Sequence, residues 1–261
     1  MNDTPSKWAD LSPRVLSAVV MSAVGLGAIW VGGVLFGLLV ALAVGAVLWE
    51  IARMLAPGQG PRAVSAGVFG ATAVLLAGFL PGVASASVLL IGFLVALGAL
   101  GVSAISLRAA VYMAWVVIAG YGLTAFRVEF GLTVILWLVA LVVATDVMGY
   151  FAGRVIGGPK FWPRVSPKKT WSGTIAGWIG AGFVGYFFAG ALGPGVVWLS
   201  VILAFASQMG DAAESALKRH TGVKDSSALI PGHGGVFDRF DALLGATFCL
   251  YLAHLAGLFG G

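Results

Sequence analysis

Charge is what this chain has least of. Only 10% of its 261 residues are Asp, Glu, Lys or Arg, against about 25% in a typical soluble domain. That scarcity excludes an ordinary water-soluble fold. Cysteine is nearly absent too. The single Cys249 cannot form an intrachain disulfide or supply a cysteine metal cluster, and it reads as a small core residue. Histidine is limited to His220, His233 and His254, and no pair is spaced to suggest a zinc site. No Ser, His and Asp arrangement suggests a covalent nucleophile, and no internal repeat or low-complexity tract stands out. The start, MNDTPSKWADLSPR, is polar and has no cleavage site before a short apolar core. It is expected to be a retained cytoplasmic tail.

What is present is hydrocarbon. The chain is 60% hydrophobic with a mean hydropathy of +1.02, which defines an integral membrane protein. A pI of about 9.6 invites a nucleic-acid reading. The basic residues sit instead in short loops between apolar segments, so no nucleic-acid partner is expected.

A helix needs roughly 20 apolar residues to cross a bilayer. Apolar stretches separated by Gly, Pro and polar residues predict nine spans, near 15–31, 34–52, 63–80, 84–105, 109–125, 131–151, 173–192, 195–214 and 240–259. Gly32-Gly33, Pro81-Gly82 and Gly193-Pro194 mark tight turns. The expected fold is therefore all-α, a polytopic transmembrane helix bundle forming one membrane domain over 1–261. Residues 1–140 would form a helical N-terminal part, and 141–261 would carry the catalytic helices and loops. With the N-terminus inside, Lys7, Arg14, Arg53, Arg62, Arg108, the polar block 154–169 and the block 218–224 all fall on the cytoplasmic side. Arg127 alone is out of place. The scattered glycines are expected to let helices approach closely.

Against this background one run is dense in polar groups: SALKRHTGVKDSSALIPGHGGVFDRFD, Ser215 to Asp241. Charges are costly beside hydrocarbon, so such a cluster marks a site. Lysines and arginines with two late carboxylates suit a phosphate-rich substrate and a divalent cation. The Pro231–Gly235 turn allows backbone N–H groups to approach a ligand. Gln208, Asp211, Ser215 and Lys218 lie three or four apart and share a helical face. That stripe is either an inter-helix hydrogen-bonding ladder or part of the site. Glu214 either supports the site or lies at the interface. Asp238 and Asp241, three apart, can face one way at the start of the last helix, or can complement its macrodipole. Asp211 and Asp238, from different helices, could hold Mg²⁺ against a triphosphate.

The run resembles the signature of the phosphatidate cytidylyltransferases (CDP-diacylglycerol synthases): Ser-x-x-Lys-Arg, Lys-Asp, then His-Gly-Gly-x-x-Asp-Arg-x-Asp. Ser215, Lys218, Arg219, Lys224, Asp225, His233, Gly234, Gly235, Asp238, Arg239 and Asp241 match. Two further stretches resemble that family. Asp146 to Arg154 follows Asp-x-x-x-Tyr-Phe-x-Gly-Arg. Ser166 to Gly173 follows Ser-Pro-x-Lys-Thr-x-Glu-Gly, except that Ser172 stands where many members have Glu. The resemblance implies an enzyme taking CTP and phosphatidate to CDP-diacylglycerol and pyrophosphate in phospholipid biosynthesis. It implies Asp211 as a metal ligand, a dinuclear centre with Mg²⁺ and a second cation (potassium being the candidate), and a homodimer.

On the residues alone, several roles stay open. Asp146 is a nucleotide or cation contact, or one half of a structural pair with Arg154. Lys169 and Thr170, just before the seventh helix, are phosphate contacts or part of a positive-inside anchor, with Pro167 expected to fix the turn before them. His233 is a proton donor, a phosphate contact or a residue that shapes its glycine turn. Ser166, Ser215 and Asp225 join the substrate-binding set. The rival enzymatic reading is a CTP-dependent lipid kinase. The rival from another class is an ion-coupled transporter using Asp146 and Asp211.

Overall fold

Glycine and proline divide the apolar chain into helices. In the computed structural model, which describes residues 11–80, 82–101, 105–163 and 165–260, nine helices follow one another: α1 Leu11–Val31, α2 Gly33–Leu55, α3 Gly60–Ala77, α4 Gly82–Ala99, α5 Leu107–Glu129, α6 Gly131–Val155, α7 Trp171–Leu192, α8 Val196–Thr221 and α9 Phe237–Leu255. Each expected span has a helix. The α1–α2 break is made by Gly32 and Gly33, both at positive φ, where a Cβ is disfavoured. Lys7, Pro81 and Arg164 lie outside the described residues.

Among the described residues, seven helices are long and apolar enough to cross a bilayer. They are α1, α2, α3, α5, α6, α7 and α8. The described part of α4 is a shorter apolar helix, Ala84–Ala99, and α9 opens on Asp238, Arg239 and Asp241, which shortens its apolar part. The protein is an all-α, multi-pass membrane protein. Between α6 and α7, where the polar block predicts a loop, the chain forms short strands. They make an antiparallel hairpin of β1 Lys160–Trp162 and β2 Ser166–Thr170, pairing Lys160 with Thr170 and Trp162 with Ser166. Pro167 therefore lies within β2, not in the turn.

The core runs along α2, α5, α6, α8 and α9, with Leu48, Ile51, Phe126, Trp137, Leu138 and Leu203 fully enclosed. Lipid is as apolar as these side chains, so close packing and inter-helix hydrogen bonds hold the helices together. Trp137 Nε1 donates to Ser200 Oγ at 2.9 Å. Gly45 faces Gly67, Gly149 faces Gly173 and Gly210 faces Gly245 across helix pairs, leaving no room for a Cβ. Arg127 also finds its reason here. Its Nε donates to the Ile29 carbonyl at 3.1 Å and its Nη2 to that of Trp30 at 3.4 Å. A cation thus meets the negative end of α1.

Candidate active site

The polar residues gather at one end of the bundle because several elements are tied together there. Helix α8 runs seven residues beyond its expected end at 214, to Thr221, where Gly222 closes it in a left-handed conformation. Lys218 and Arg219 are therefore helical, and Arg219 Nε reaches the Val165 carbonyl in the hairpin turn at 2.6 Å. The glycine turn closes on itself: Ile230 N–H donates to the Gly234 carbonyl at 2.8 Å, and His233 N–H to that of Ile230 at 2.9 Å. Gly232 and Gly234 take positive φ, which a side chain would oppose.

A cavity of about 450 Å³ opens between α6, β2, α7 and α8. Asp146, Tyr150 and Arg154 line it from α6, Lys168, Lys169 and Thr170 from β2, and Gln208 and Asp211 from α8. Lys169 Nζ meets Asp211 Oδ2 at 2.5 Å. Thr170 Oγ1 caps α7 by accepting from Gly173 N–H at 3.3 Å. Ser172 hydroxyl donates to the Gly157 carbonyl at 2.5 Å, so it braces the hairpin base. Gln208 is fixed from both ends: its Oε1 accepts from Trp178 Nε1 at 3.1 Å, and its Nε2 donates to the Thr174 carbonyl at 3.3 Å. Arg154 donates to the Tyr150 hydroxyl at 2.6 Å, which sets the guanidinium at the rim.

Behind Asp211 the carboxylates cluster. Ligand oxygens of Asp211, Glu214 and Asp241 lie within 4.8 Å of one another. Ser215 Oγ borders both Asp211 and Glu214, at 3.4 and 3.5 Å. Lys218 Nζ bridges Glu214 Oε1 at 2.5 Å and Asp238 Oδ1 at 2.8 Å. Glu214 Oε1 is buried with no aligned hydrogen-bond donor. Four carboxylates (Asp211, Glu214, Asp238 and Asp241) thus face two ammonium groups, Lys169 and Lys218. An all-oxygen set with surplus negative charge fits a small hard dication, and burying that charge unmatched is costly.

The arrangement differs from the expected pair of Asp211 with Asp238. Asp238 is turned toward the preceding loop, where Oδ2 accepts from Gly235 N–H at 2.7 Å and Ser226 N–H at 3.0 Å. The residue that joins Asp211 is Asp241, one turn further along α9, with Glu214. Residues three apart on a helix differ by about 60° in direction: Asp238 meets the loop N–H groups and the Lys218 ammonium of α8, while Asp241 meets the carboxylates of Asp211 and Glu214.

The remaining predicted residues lie at the same end but outside the cavity lining. Lys224 and Asp225 are exposed in the loop after α8, and Arg239 is exposed with its Nε on the His233 carbonyl at 3.1 Å. His233 Nδ1 is 2.7 Å from Ser17 Oγ of α1. Ser166 pairs with Trp162 in the hairpin. Gly234 and Gly235 shape the turn, and a Cβ on either would crowd Asp238 or Ser226 and Glu50.

Sequence reasoning passed over Glu50. It is fully buried in α2 and accepts hydrogen bonds from Ser226 Oγ, Ser227 Oγ, Val236 N–H and Phe237 N–H at 2.6–3.0 Å. A lone carboxylate within an apolar span was the available signal.

Carboxylates on apolar helices, a basic cavity and Lys169 beside the α7 cap Thr170 together define a membrane protein with a site suited to phosphate groups and a cation. The chain belongs to the cytidylyltransferase family, whose sequence model matches residues 12–256. It is similar to proteins named phosphatidate cytidylyltransferase: 50% identical over 127 residues to that of Brucella suis, 44% over 126 to that of Haemophilus influenzae and 41% over 128 to that of Bacillus subtilis. The alignments cover 47%, 45% and 47% of this chain and 47%, 44% and 48% of the relatives. The chain thus spans about half the length of the curated relatives it matches.

Proposed function

We propose that this chain transfers the cytidylyl group of CTP to phosphatidate, forming CDP-diacylglycerol and releasing pyrophosphate. The observation that carries the reading is the position of Asp211, which lines the basic cavity and also belongs to the acidic cluster. A single carboxylate therefore connects a place for phosphates with a place for a cation. Family membership and the relatives' names support the same chemistry.

In this reading Asp211, Glu214 and Asp241 would hold Mg²⁺. Asp238, paired with Asp211 as a ligand on the sequence alone, orients Lys218 and the loop. Bound Mg²⁺ would neutralise triphosphate charge and stabilise the departing pyrophosphate. The resemblance adds a second cation, for which potassium is the candidate. Lys168, Lys169 and Arg154 give the cavity its positive wall and receive the phosphates of the two substrates. Asp146 faces the nucleotide. Lys218, Arg219, Lys224 and Arg239 raise the positive potential at this end. A phosphatidate phosphate oxygen attacks the α-phosphorus of CTP in line; the new P–O bond forms as the bond to the β-phosphate oxygen breaks. The protein contributes positioning and fixed charge.

The basic residues at this end support a site facing the cytoplasm from a bacterial plasma membrane, on the side where CTP is dissolved. Phosphatidate arrives sideways, past the exposed Val147, Phe151 and Trp171 of α6 and α7. The chain works as a single membrane domain, as a homodimer.

The test is pyrophosphate release by the purified chain in detergent with CTP, phosphatidate and Mg²⁺, beside Asp211→Ala. Release that needs both substrates and disappears in the variant is the expected result. CDP in place of pyrophosphate would mean γ-phosphate transfer, and release surviving in Asp211→Ala would remove this residue from the site.

A further inference from the structure

Helix α9 begins without a cap of its own. Its N-cap residue is Val236, which makes no side-chain capping bond, although the first N–H groups of a helix have no partner within it. Glu50, from α2, takes that part. Its Oε1 accepts from Val236 N–H at 2.9 Å and its Oε2 from Phe237 N–H at 2.7 Å. A carboxylate there also meets the positive end of the helix. The other lone pairs take the hydroxyls of Ser227 at 2.6 Å and Ser226 at 3.0 Å, from the start of the same loop.

One side chain therefore holds both ends of the segment 226–237. That segment supplies the Ser226 and Gly235 N–H groups that orient Asp238, and it leads into the turn of α9 that carries Asp241. Space enforces the arrangement. A Cβ on Gly235 would lie 2.5 Å from Glu50 Oε1 and would collide with Ser226 Oγ, so the loop can approach Glu50 only with glycine there.

We infer that Glu50 is a positioning residue for the cation site: through the 226–237 loop and the start of α9 it fixes where Asp238 and Asp241 stand against Asp211 and Glu214. This rests on reading the acidic cluster as a cation site. Glu50 lies outside that cluster, and its effect passes through the backbone it holds.

Glu50→Gln keeps the shape but turns two acceptor positions into N–H groups that face donors. The experiment uses the full chain in detergent, with Mn²⁺ as a spectroscopic probe titrated by electron paramagnetic resonance. Hydrogen exchange is followed in parallel over peptides from 225–240. Supporting groups around a metal site typically contribute about 10–100-fold to affinity. The expected result for Glu50→Gln is Mn²⁺ binding weakened about ten-fold or more, with faster exchange over 225–240 and unchanged protection in α6 and α7. Ser227→Ala, which removes one donor and leaves three, should shift both readouts the same way by less. It decides the matter if Glu50→Gln does not fold. Wild-type Mn²⁺ affinity in a folded Glu50→Gln, or wild-type exchange over 225–240, overturns the proposal. A wild-type chain that binds no Mn²⁺ overturns the cation reading beneath it, a different result from a wild type that binds and a variant that binds equally.

Discussion

Replacing Gly245 with alanine adds one methyl group where α8 and α9 touch. The new Cβ would stand 2.9 Å from Gly210 Cα and 3.0 Å from Gly210 N, and it would strike the Ala206 carbonyl oxygen. Carbon atoms rest about 3.5–4.0 Å apart, so α9 has to retreat by on the order of 1 Å. All three close atoms are backbone, and no rotamer change relieves them. The packing strain should cost about 1–3 kcal/mol, visible as a lower melting temperature in detergent. The functional loss should be larger than the strain suggests. Asp211 and Glu214 ride on α8 and Asp241 on α9, so the displacement opens the acidic cluster itself. A misplacement of about 1 Å can reduce catalysis about 100-fold. The assay is steady-state pyrophosphate release with Mg²⁺ varied, beside Gly98→Ala in α4, where a Cβ meets nothing within 4 Å. The control should keep wild-type rates. Gly245→Ala should lose about two orders of magnitude in kcat and need more Mg²⁺ for half-maximal rate. A folded Gly245→Ala within about two-fold of wild type would show that the spacing of these helices does not govern the site.

Lys218→Met keeps the length of the side chain and removes the charge between Glu214 and Asp238. Losing one partner of a buried ion pair costs about 3–5 kcal/mol, so the variant should melt earlier and lose turnover, whereas Lys218→Arg should recover part of the stability. A thermal melt within error of wild type for Lys218→Met would contradict the buried bridge. Thr170→Ala removes the α7 cap and should cost about 1 kcal/mol. Thr170→Ser should restore it, and failure of serine to do so would mean that the methyl group, not the hydroxyl, matters here.

The helix order was legible because its signals are local. Gly32-Gly33 and Gly193-Pro194 interrupt hydrocarbon where the chain reverses, and among the described residues nine helices stand where nine apolar stretches are expected. The apolar span ends near 214, but α8 goes on past it: the helical stripe that includes Lys218 already points beyond that limit, while Arg219 and His220 resemble loop residues. Buried Leu217 and the left-handed Gly222 carry the helix on to Thr221. The hairpin of β1 and β2 was hidden by the shortness of its strands, which leave no period to detect. The meeting of Asp146, Lys169 and Asp211 around one cavity was foreshadowed by motif resemblance, since no local rule connects α6 to α8. The division of labour between Asp238 and Asp241 was not legible: it depends on loop N–H groups whose direction only the folded backbone sets. Glu50 was hidden by distance, because its hydroxyl and N–H donors come from the far end of the chain.

That distance bears on how the protein is made. Glu50 is synthesised with α2, whereas its donors Ser226, Ser227, Val236 and Phe237 follow 176 to 187 residues later. Until they arrive, the growing bundle holds a carboxylate with no native donors, a condition hydrocarbon tolerates poorly. The 226–237 loop can close over Glu50 only after α8 has been made, so the site is assembled from segments made far apart in time. A fragment that stops before Ser226 would carry Glu50 without any of these four donors.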